Sequence, residues 1–338
     1  MEILSARTGS DGLPPWIERW FHSWHEAIDD GLAADRPHPT LWSAAEVLAG
    51  LRRHDPTRES VVHAAVDDGR VVGGARVDLP RLDNLALAEV VLAVPPAARC
   101  RGVGTALAAA VRTSAAAEGR TSLLTVLERP VDVVGTWPGE AFAAAQGLSL
   151  RQTNLRRDLT LPVPAERLAA LRTEAEAGSR GYVVRTWEGP SPDPIRHAAL
   201  AARMSTDVPQ GDLEYEAESW DADRVLANEA RITAQGRRWW TSVALDPAGG
   251  WVGLSEMGWA STQPDRFYQW DTIVLREHRG HRLGMTLKLA TLAAATAAVL
   301  GARQVHTWNA ETNAPMVALN VALGFEVAEV LGEWQGAV

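Results

Sequence analysis

The sequence predicts an α/β (α+β) chain of two tandem domains, each a mixed β-sheet with helices on both faces, and three observations carry that prediction. A glycine-bearing turn occurs twice, as Arg99-Cys100-Arg101-Gly102-Val103-Gly104 and as Arg279-Gly280-His281-Arg282-Leu283-Gly284, 180 residues apart. A small-residue helix ending in a glycine and a large apolar residue follows each turn, and the two pairs, Gly147-Leu148 and Gly324-Phe325, stand 177 residues apart. The chain has 338 residues, which suits two domains of roughly 160 residues, each able to bury its own core. A repeat this long makes two domains; a stacked solenoid would recur every 20–50 residues or so.

The elements follow in order. Trp16, Trp20, Phe21 and Trp24 recur at helical spacing and predict a helix over residues 13–30. A second helix is expected over 41–53, with Thr40 as its cap. Strands follow at 61–66, 71–77 and 85–94, the first two joined by Asp67-Asp68-Gly69 and the last stopped by Pro95-Pro96. The first turn opens a helix over 101–117, and a strand over 122–127 comes next. Residues 161–181 begin with two prolines and end in glycines, reading as a linker with a short charged helix.

The second half repeats the order: a strand at 182–187, helices at 194–204 and 222–236, strands at 239–245, 251–260 and 267–275, a helix at 282–300, a strand at 304–308, a helix at 314–323 and a last strand. The expected boundaries are 1–160 for the first domain, 161–180 for the linker and 181–338 for the second domain.

Bulk properties narrow the function. The net charge of −9 disfavours nucleic acid, whose binding rests on lysine and arginine neutralising phosphates, and suits a cationic small molecule better. No apolar run reaches the roughly 20 residues that span a bilayer, and Met1 to Asp11 lacks a basic stretch followed by an apolar one, so a cytoplasmic protein with no membrane partner is expected. Cys100 is the single cysteine, which excludes an internal disulfide; with no histidine near it in sequence, it reads as a small turn residue rather than a nucleophile. His22 with His25 and His278 with His281 lack a third ligand, so no metal is expected. Most of the fourteen tryptophans are expected in cores, with one or two of Trp239, Trp240, Trp251, Trp259 and Trp270 lining a pocket. Monomer and homodimer both stay open.

The duplicated turn is the chemical signal. It follows a β-branched run and opens a helix, which points backbone N–H groups and the positive helix end at an anion such as a pyrophosphate. A dinucleotide fingerprint would need a third glycine where Leu107 stands, and the full phosphate-loop signature of nucleotide hydrolases is absent.

The order of strand, R-x-x-G-x-G turn, helix, strand, helix and glycine–apolar pair resembles the GNAT superfamily of acyl-CoA-dependent N-acetyltransferases, over residues 85–120 and 267–325 above all. The resemblance implies two tandem GNAT-like domains whose central strands splay apart, acetyl-CoA as co-substrate, no metal, and a small-molecule amine as partner. It implies a carrier site at Arg99, Gly102, Val103, Gly104 and Thr105 with Leu92 and Val94 on the strand before. In the second half the implied site comprises Arg279, Gly280, His281, Arg282, Leu283 and Gly284 with Ile273 and Val274. Arg282 departs from the motif, standing where its first glycine belongs, so loop geometry is the point to test. The segment holding Asn309 and Asn313 matches the family's spacing for an asparagine near pantetheine.

Where the family often has a tyrosine that protonates the departing thiolate, this chain has Asn320 and, in the first half, Ala143. Asn320 either donates a hydrogen bond to sulfur or is a plain helix residue. Glu89 occupies the strand position where some members keep a base. The aligned second-half position is Gln269, leaving Asp271 two residues on, and on the same face of a regular strand, or Glu256 on the neighbouring strand. The loop between the second half's first two helices resembles the flap over the acceptor site. Its Asp212, Glu214 and Glu216, with Asp207 and Glu218, either attract a cationic amine or form a solvated acidic surface. The resulting expectation is acetylation of a cationic amine in the second domain, by direct attack on the thioester, with the first domain a non-catalytic binder. The alternative is a silent acyl-CoA sensor or scaffold.

Overall fold

The computed structural model describes residues 1–8 and 13–338, so Asp11, which ends the stretch read for a leader, lies outside the described residues. In chain order the elements are β1 (Glu2–Thr8), α1 (Pro15–Ala33), α2 (Ala44–Arg52), β2 (Arg58–Asp67), β3 (Arg70–Pro80), β4 (Leu87–Ala93), α3 (Val103–Ala117), β5 (Ser122–Pro130), α4 (Pro138–Ala145) and β6 (Ser149–Thr160). They continue with α5 (Ala165–Gly178), β7 (Val183–Glu188), α6 (Pro194–Asp207), α7 (Ala222–Ala234), β8 (Arg237–Leu245), β9 (Trp251–Ala260), β10 (Arg266–Val274), α8 (Leu283–Ala298), β11 (Gln304–Ala310), α9 (Ala314–Leu323) and β12 (Glu326–Ala337).

The chain divides into two compact units. The first holds Met1–Thr153, Gly211–Glu216 and Val330–Val338; the second holds Asn154–Gln210 and Ala217–Glu329. In the first, β1 to β4 form an antiparallel meander, β5 adds parallel to β4, and the end of β12 lies beside β5. There Val338 N–H donates to Thr121 O and Gln335 Nε2 to Ser122 Oγ. In the second, β7 to β10 repeat the meander, β11 adds parallel to β10, and β6 pairs antiparallel with β11 from Asn154 to Thr160. Each unit's last strand is therefore supplied by the other half of the sequence.

Each sheet buries both faces. In the first unit α3 covers one face through Val103, Leu107 and Val111, and α1 covers the other through Ile17, Phe21, Trp24 and Ile28. In the second, α8 with α5 covers one face and α6 the other, where Leu200 meets Val243, Leu254 and Ile273. Trp239 and Trp240 are core residues of the second unit.

Local chemistry accounts for the departures from the expected elements. The cap of α2 is Ser43, not Thr40: its Oγ accepts from Glu46 N at 3.3 Å while the Glu46 carboxylate accepts from Ser43 N at 3.0 Å, a reciprocal capping box. Strand β6 is missing from the expected elements, being full of arginine and polar residues. It is held by ion pairs instead, with Arg156 fully buried between Asp158 and Glu329. Strand β1 is a short edge strand with few apolar residues, recognisable only from its partner β2.

Candidate functional site

The turn of the first unit sits where β4 and β5 part. Their parallel pairing ends at Val90 and Thr125, leaving Leu92 to Val94 without a partner on that side. Arg99 fastens the turn, donating from Nε to Val94 O at 3.0 Å and from Nη2 to Gly31 O at 3.1 Å. Cys100 and Gly102 both take the left-handed conformation, with φ of 58° and 81°, and Gly102 caps α3. The first intrahelical bond there is Ala106 N to Gly102 O, so the N–H groups of Val103, Gly104 and Thr105 remain free of the helix ladder. A Cβ on Gly104 would come within 3.2 Å of the Phe142 ring, so this glycine serves close packing of α3 on α4.

A cavity of about 370 Å³ opens at this place, lined by Gly102, Gly104 and Thr105 of the turn, Leu92 and Val94 of β4, and Val126 to Glu128 of β5. Free amides at a helix start, facing a slot between diverging strands, fit a pyrophosphate with an extended chain attached. The residues present therefore suit acetyl-CoA.

The second unit rebuilds the same turn from different residues. Pairing of β10 with β11 ends at Tyr268 and His306, and Arg279 Nε donates to Val274 O at 3.0 Å, as Arg99 does to Val94. Gly280 (φ 87°) takes the role of Cys100, and Arg282 (φ 55°) that of Gly102 as the cap of α8. Each turn thus has two left-handed residues of which one is glycine, and Arg282 preserves the geometry at the cost of strain, about 1–2 kcal/mol for a residue with a Cβ. Its side chain turns outward, 3.5 Å from Glu174. Gly284 repeats Gly104, its missing Cβ replaced by Leu319. His281 and His278 pack on Tyr182, whose hydroxyl lies 3.0 Å from His278 Nδ1. Among the described residues no group of three or more histidines, cysteines and carboxylates is arranged to hold a metal ion.

The candidate bases are disposed differently in the two units. Glu89 is 3.1 Å from Arg58, which also flanks Asp78. Across β9 and β10 the arrangement is more unusual. Between Gln269, paired with Met257, and Thr272, paired with Ser255, the two residues Trp270 and Asp271 face the single residue Glu256, a β-bulge. The bulge reverses the alternation, so Asp271 does not share a face with Gln269 as a regular strand would require. Gln269 bonds to Ser255 Oγ and the Glu256 carbonyl under α8, while Asp271 is turned toward the Glu256 side chain.

Glu256 accepts from Thr241 Oγ1 at 3.0 Å, and burial pushes its carboxyl up to about 7. Asp271 keeps exposed surface yet is closely surrounded by protein, and that surrounding with the like charge of Glu256 pushes it up to about 7 as well. Two residues invisible to the sequence reading complete the group. His197 on α6 lies 3.6 Å from Glu256 through Nε2 and 4.0 Å from Glu229 of α7 through Nδ1. Burial lowers the His197 imidazole and raises the Glu229 carboxyl. A histidine on the apolar face of α6, one turn from Leu200, was the available signal.

The asparagines are engaged internally. Asn313 caps α9, accepting from Met316 N at 3.3 Å. Asn320 is fully buried: Oδ1 accepts from Lys288 Nζ at 2.8 Å, and Nδ2 donates to Asn309 Oδ1 at 3.1 Å, which Arg157 also reaches. Lys288 is 2% exposed, and burial lowers its ammonium to about 7. A lone lysine inside the apolar run of α8 was its only sequence signature.

The acidic loop is divided rather than gathered. Asp212, Glu214 and Glu216 belong to the first unit, where Asp212 N donates to Arg151 O, Glu214 N to Gln335 Oε1, and the Glu216 carboxylate accepts from Asn84 N. Asp207 and Glu218 remain in the second. Asp207 is nearly buried among Arg203, Arg276 and Arg279, and Glu218 receives Trp220 Nε1.

Residues 16–131 match the family model described as Acetyltransferase (GNAT) family. No curated protein matches the sequence significantly. Among solved structures, a tandem GNAT protein from the clavulanic acid biosynthesis pathway, solved without AcCoA, superposes at a TM-score of 0.78 with 27% identity, over 99% of this chain and 98% of that one. A GCN5-related N-acetyltransferase from Sphaerobacter thermophilus has the same fold at 0.60 with 16% identity, over 98% of this chain and 95% of that one. A putative acetyltransferase from Pyrococcus horikoshii follows at 0.54 with 11% identity, over 99% and 89%.

Proposed function

We propose that this chain, whose residues 16–131 match the GNAT family model and which superposes on a tandem GNAT protein, is an acetyl-CoA-dependent N-acetyltransferase for a small cationic amine, with the chemistry in the second unit. The observation that carries this reading is the carboxyl pair Glu256 and Asp271, both held near 7, set across a bulge in the strand that parts from β11. A general base is most effective when its pKa lies near the working pH.

The residues divide the work. The amides at the start of α8, from Leu283 on, and the cap Arg282 receive the pyrophosphate, while the open side of β10 at Ile273 and Val274 offers backbone groups to the pantetheine chain. The acceptor nitrogen, freed of a proton by Asp271 or Glu256, attacks the thioester carbonyl. The carbon–nitrogen bond forms, the carbon–sulfur bond breaks with its electron pair on sulfur, and the second proton of the nitrogen passes through water to the thiolate. Holding the partners in line supplies much of the acceleration, and no covalent enzyme intermediate is needed.

The first unit pairs a carrier-shaped cavity with a Glu89 tied to Arg58, which favours a binding role for that unit. Thiol release from acetyl-CoA with a panel of primary amines tests the proposal. Saturable release with an N-acetylated product is expected; carrier binding without release supports a sensor instead.

A further inference from the structure

The second unit contains a cavity of about 510 Å³ beside the C-terminal half of α8, the helix whose N-terminus carries the turn. Its floor is core: Leu289 and Leu292 of α8, Val299 after that helix and Val163 before α5 are all buried. One wall is α5, which contributes Leu168 and Arg172. Of its own residues α5 buries only Ala175, so it rests on α8 without filling the space between them.

The charge of the lining has one sign. The chain carries 42 acidic against 33 basic residues, yet no carboxylate lines this cavity; its polar side chains are Thr296, Arg172 and Arg303. Thr296 Oγ1 donates to Leu292 O at 2.7 Å and is committed to its own helix. Elsewhere in the unit Arg156, Arg238 and Arg279 each have a carboxylate within 3.2 Å. The guanidinium groups of Arg172 and Arg303 have no hydrogen bond or ion pair among the described residues. Arg303 is fixed at its backbone, where its N–H donates to Asp265 O at 2.6 Å and its carbonyl accepts from Leu161 N–H at 2.7 Å, so its side chain leaves from a held point.

The geometry points to a binding site for an aliphatic carboxylate of medium chain length, its chain laid on Leu289, Leu292 and Val299 and its carboxylate shared by Arg172 and Arg303. An apolar bed with a few placed polar groups is the usual make-up of a small-molecule pocket, and its volume falls in the common range of about 300–1,000 Å³. A guanidinium fork matches a carboxylate in both shape and charge. Two cations beside an apolar floor, with no anion among the lining side chains, favour a fatty acid anion over an alkylamine or a neutral lipid. The site is separate from the turn at Arg279 to Gly284, and its occupancy does not require the acetyl carrier.

Calorimetric titration of the full chain with hexanoate, octanoate and decanoate, below their micelle concentrations and with saturating coenzyme A present to fill the carrier slots, tests this. Each methylene buried strengthens binding about fourfold, so the Kd is expected to fall stepwise along the series. Decylammonium is expected to bind at least tenfold more weakly than decanoate. Arg172→Gln combined with Arg303→Gln, both at exposed positions, is expected to remove that preference and keep the dependence on chain length. Ala293→Phe, at an exposed lining position, is expected to weaken decanoate at least tenfold, with a thermal melt to show that the variant folds. Decylammonium binding as tightly as decanoate, or decanoate binding unchanged by both sets of substitutions, overturns the proposal. So does an absence of saturable decanoate binding; co-sedimentation with phosphatidylglycerol vesicles in its place would make this face a membrane contact instead.

Discussion

Replacing Lys288 by methionine is expected to change stability with a sign that depends on pH. The ammonium group is buried at 2% exposure, bonded to Asn320 Oδ1 and 5.6 Å from the Phe325 ring centre, and its pKa falls from 10.5 to about 7. At about 1.4 kcal/mol per factor of ten, that difference corresponds to on the order of 4–5 kcal/mol of disfavour for the charged form. Because the folded pKa lies below the unfolded one, the unfolded chain binds the extra proton between pH 7 and 10.5, and stability rises with pH across that window. Methionine fills similar space without charge and so removes the penalty at pH 7, but leaves Asn320 Oδ1 buried without its donor, at about 1–3 kcal/mol. The variant is therefore expected to be about 1–3 kcal/mol more stable than the native protein at pH 7 and less stable by a similar amount near pH 10.5. Urea unfolding of both proteins at the two pH values, followed by tryptophan fluorescence, measures the crossing. A loss of stability at pH 7, or a difference that does not change with pH, refutes the reasoning about the buried lysine.

Other consequences follow from the same structure. Gly102→Ala meets no atom within 4 Å but must hold φ 81°, so a loss of about 1 kcal/mol by thermal melting is expected from strain alone. Gly104→Ala instead presses on the Phe142 ring at 3.2 Å, and weaker acetyl-CoA binding to the first unit is expected, read by calorimetry. A chain cut after Thr160 lacks Val330–Val338, which belong to the first unit, so β5 becomes an open edge; loss of a cooperative melt and aggregation are expected, relieved when residues 326–338 are supplied as a peptide. The rate of amine acetylation at saturating acetyl-CoA is expected to rise tenfold per pH unit up to about 7, since Glu256 and Asp271 act only when deprotonated, and then to level off.

Much of this organisation is legible in the sequence because it depends on local rules. The duplicated turns, the apolar periodicity of α1 and the β-branched runs of β2 to β4 and β8 to β10 each declare themselves within a dozen residues or so. What escapes is decided at long range. Strand β6 carries Arg156 and Arg157 in its middle, which hides the strand until Asp158, Glu329 and Asn309 arrive to satisfy them. The exchange of last strands between the halves leaves no mark in either segment.

The site shows the same division. Glu256 and Asp271 were visible as carboxylates on predicted strands, yet the reason given for Asp271, a shared face with Gln269, fails at the bulge; the residue reaches the cluster because the alternation is broken there. His197 and Glu229 sit on helices far away in sequence, and only folding shows that His197 stands between Glu229 and Glu256. The resemblance puts Asn320 where the family often has its acid, but its partner Lys288, one turn beyond Gly284 on α8, makes it part of a buried polar line. Asp212, Glu214 and Glu216 show that a run of acidic residues does not reveal which unit will hold it.

The central claim is that the second unit performs the transfer with the carboxyl pair of β9 and β10. The most direct measurement compares acetylation of one accepted amine by the native protein, by Asp271→Asn combined with Glu256→Gln, and by Glu89→Gln. Removal of a general base typically lowers the rate about 10²–10⁴-fold, so the double variant is expected to lose at least 10²-fold in kcat/KM while Glu89→Gln stays within about twofold. An active double variant beside an inactive Glu89→Gln protein would contradict the account.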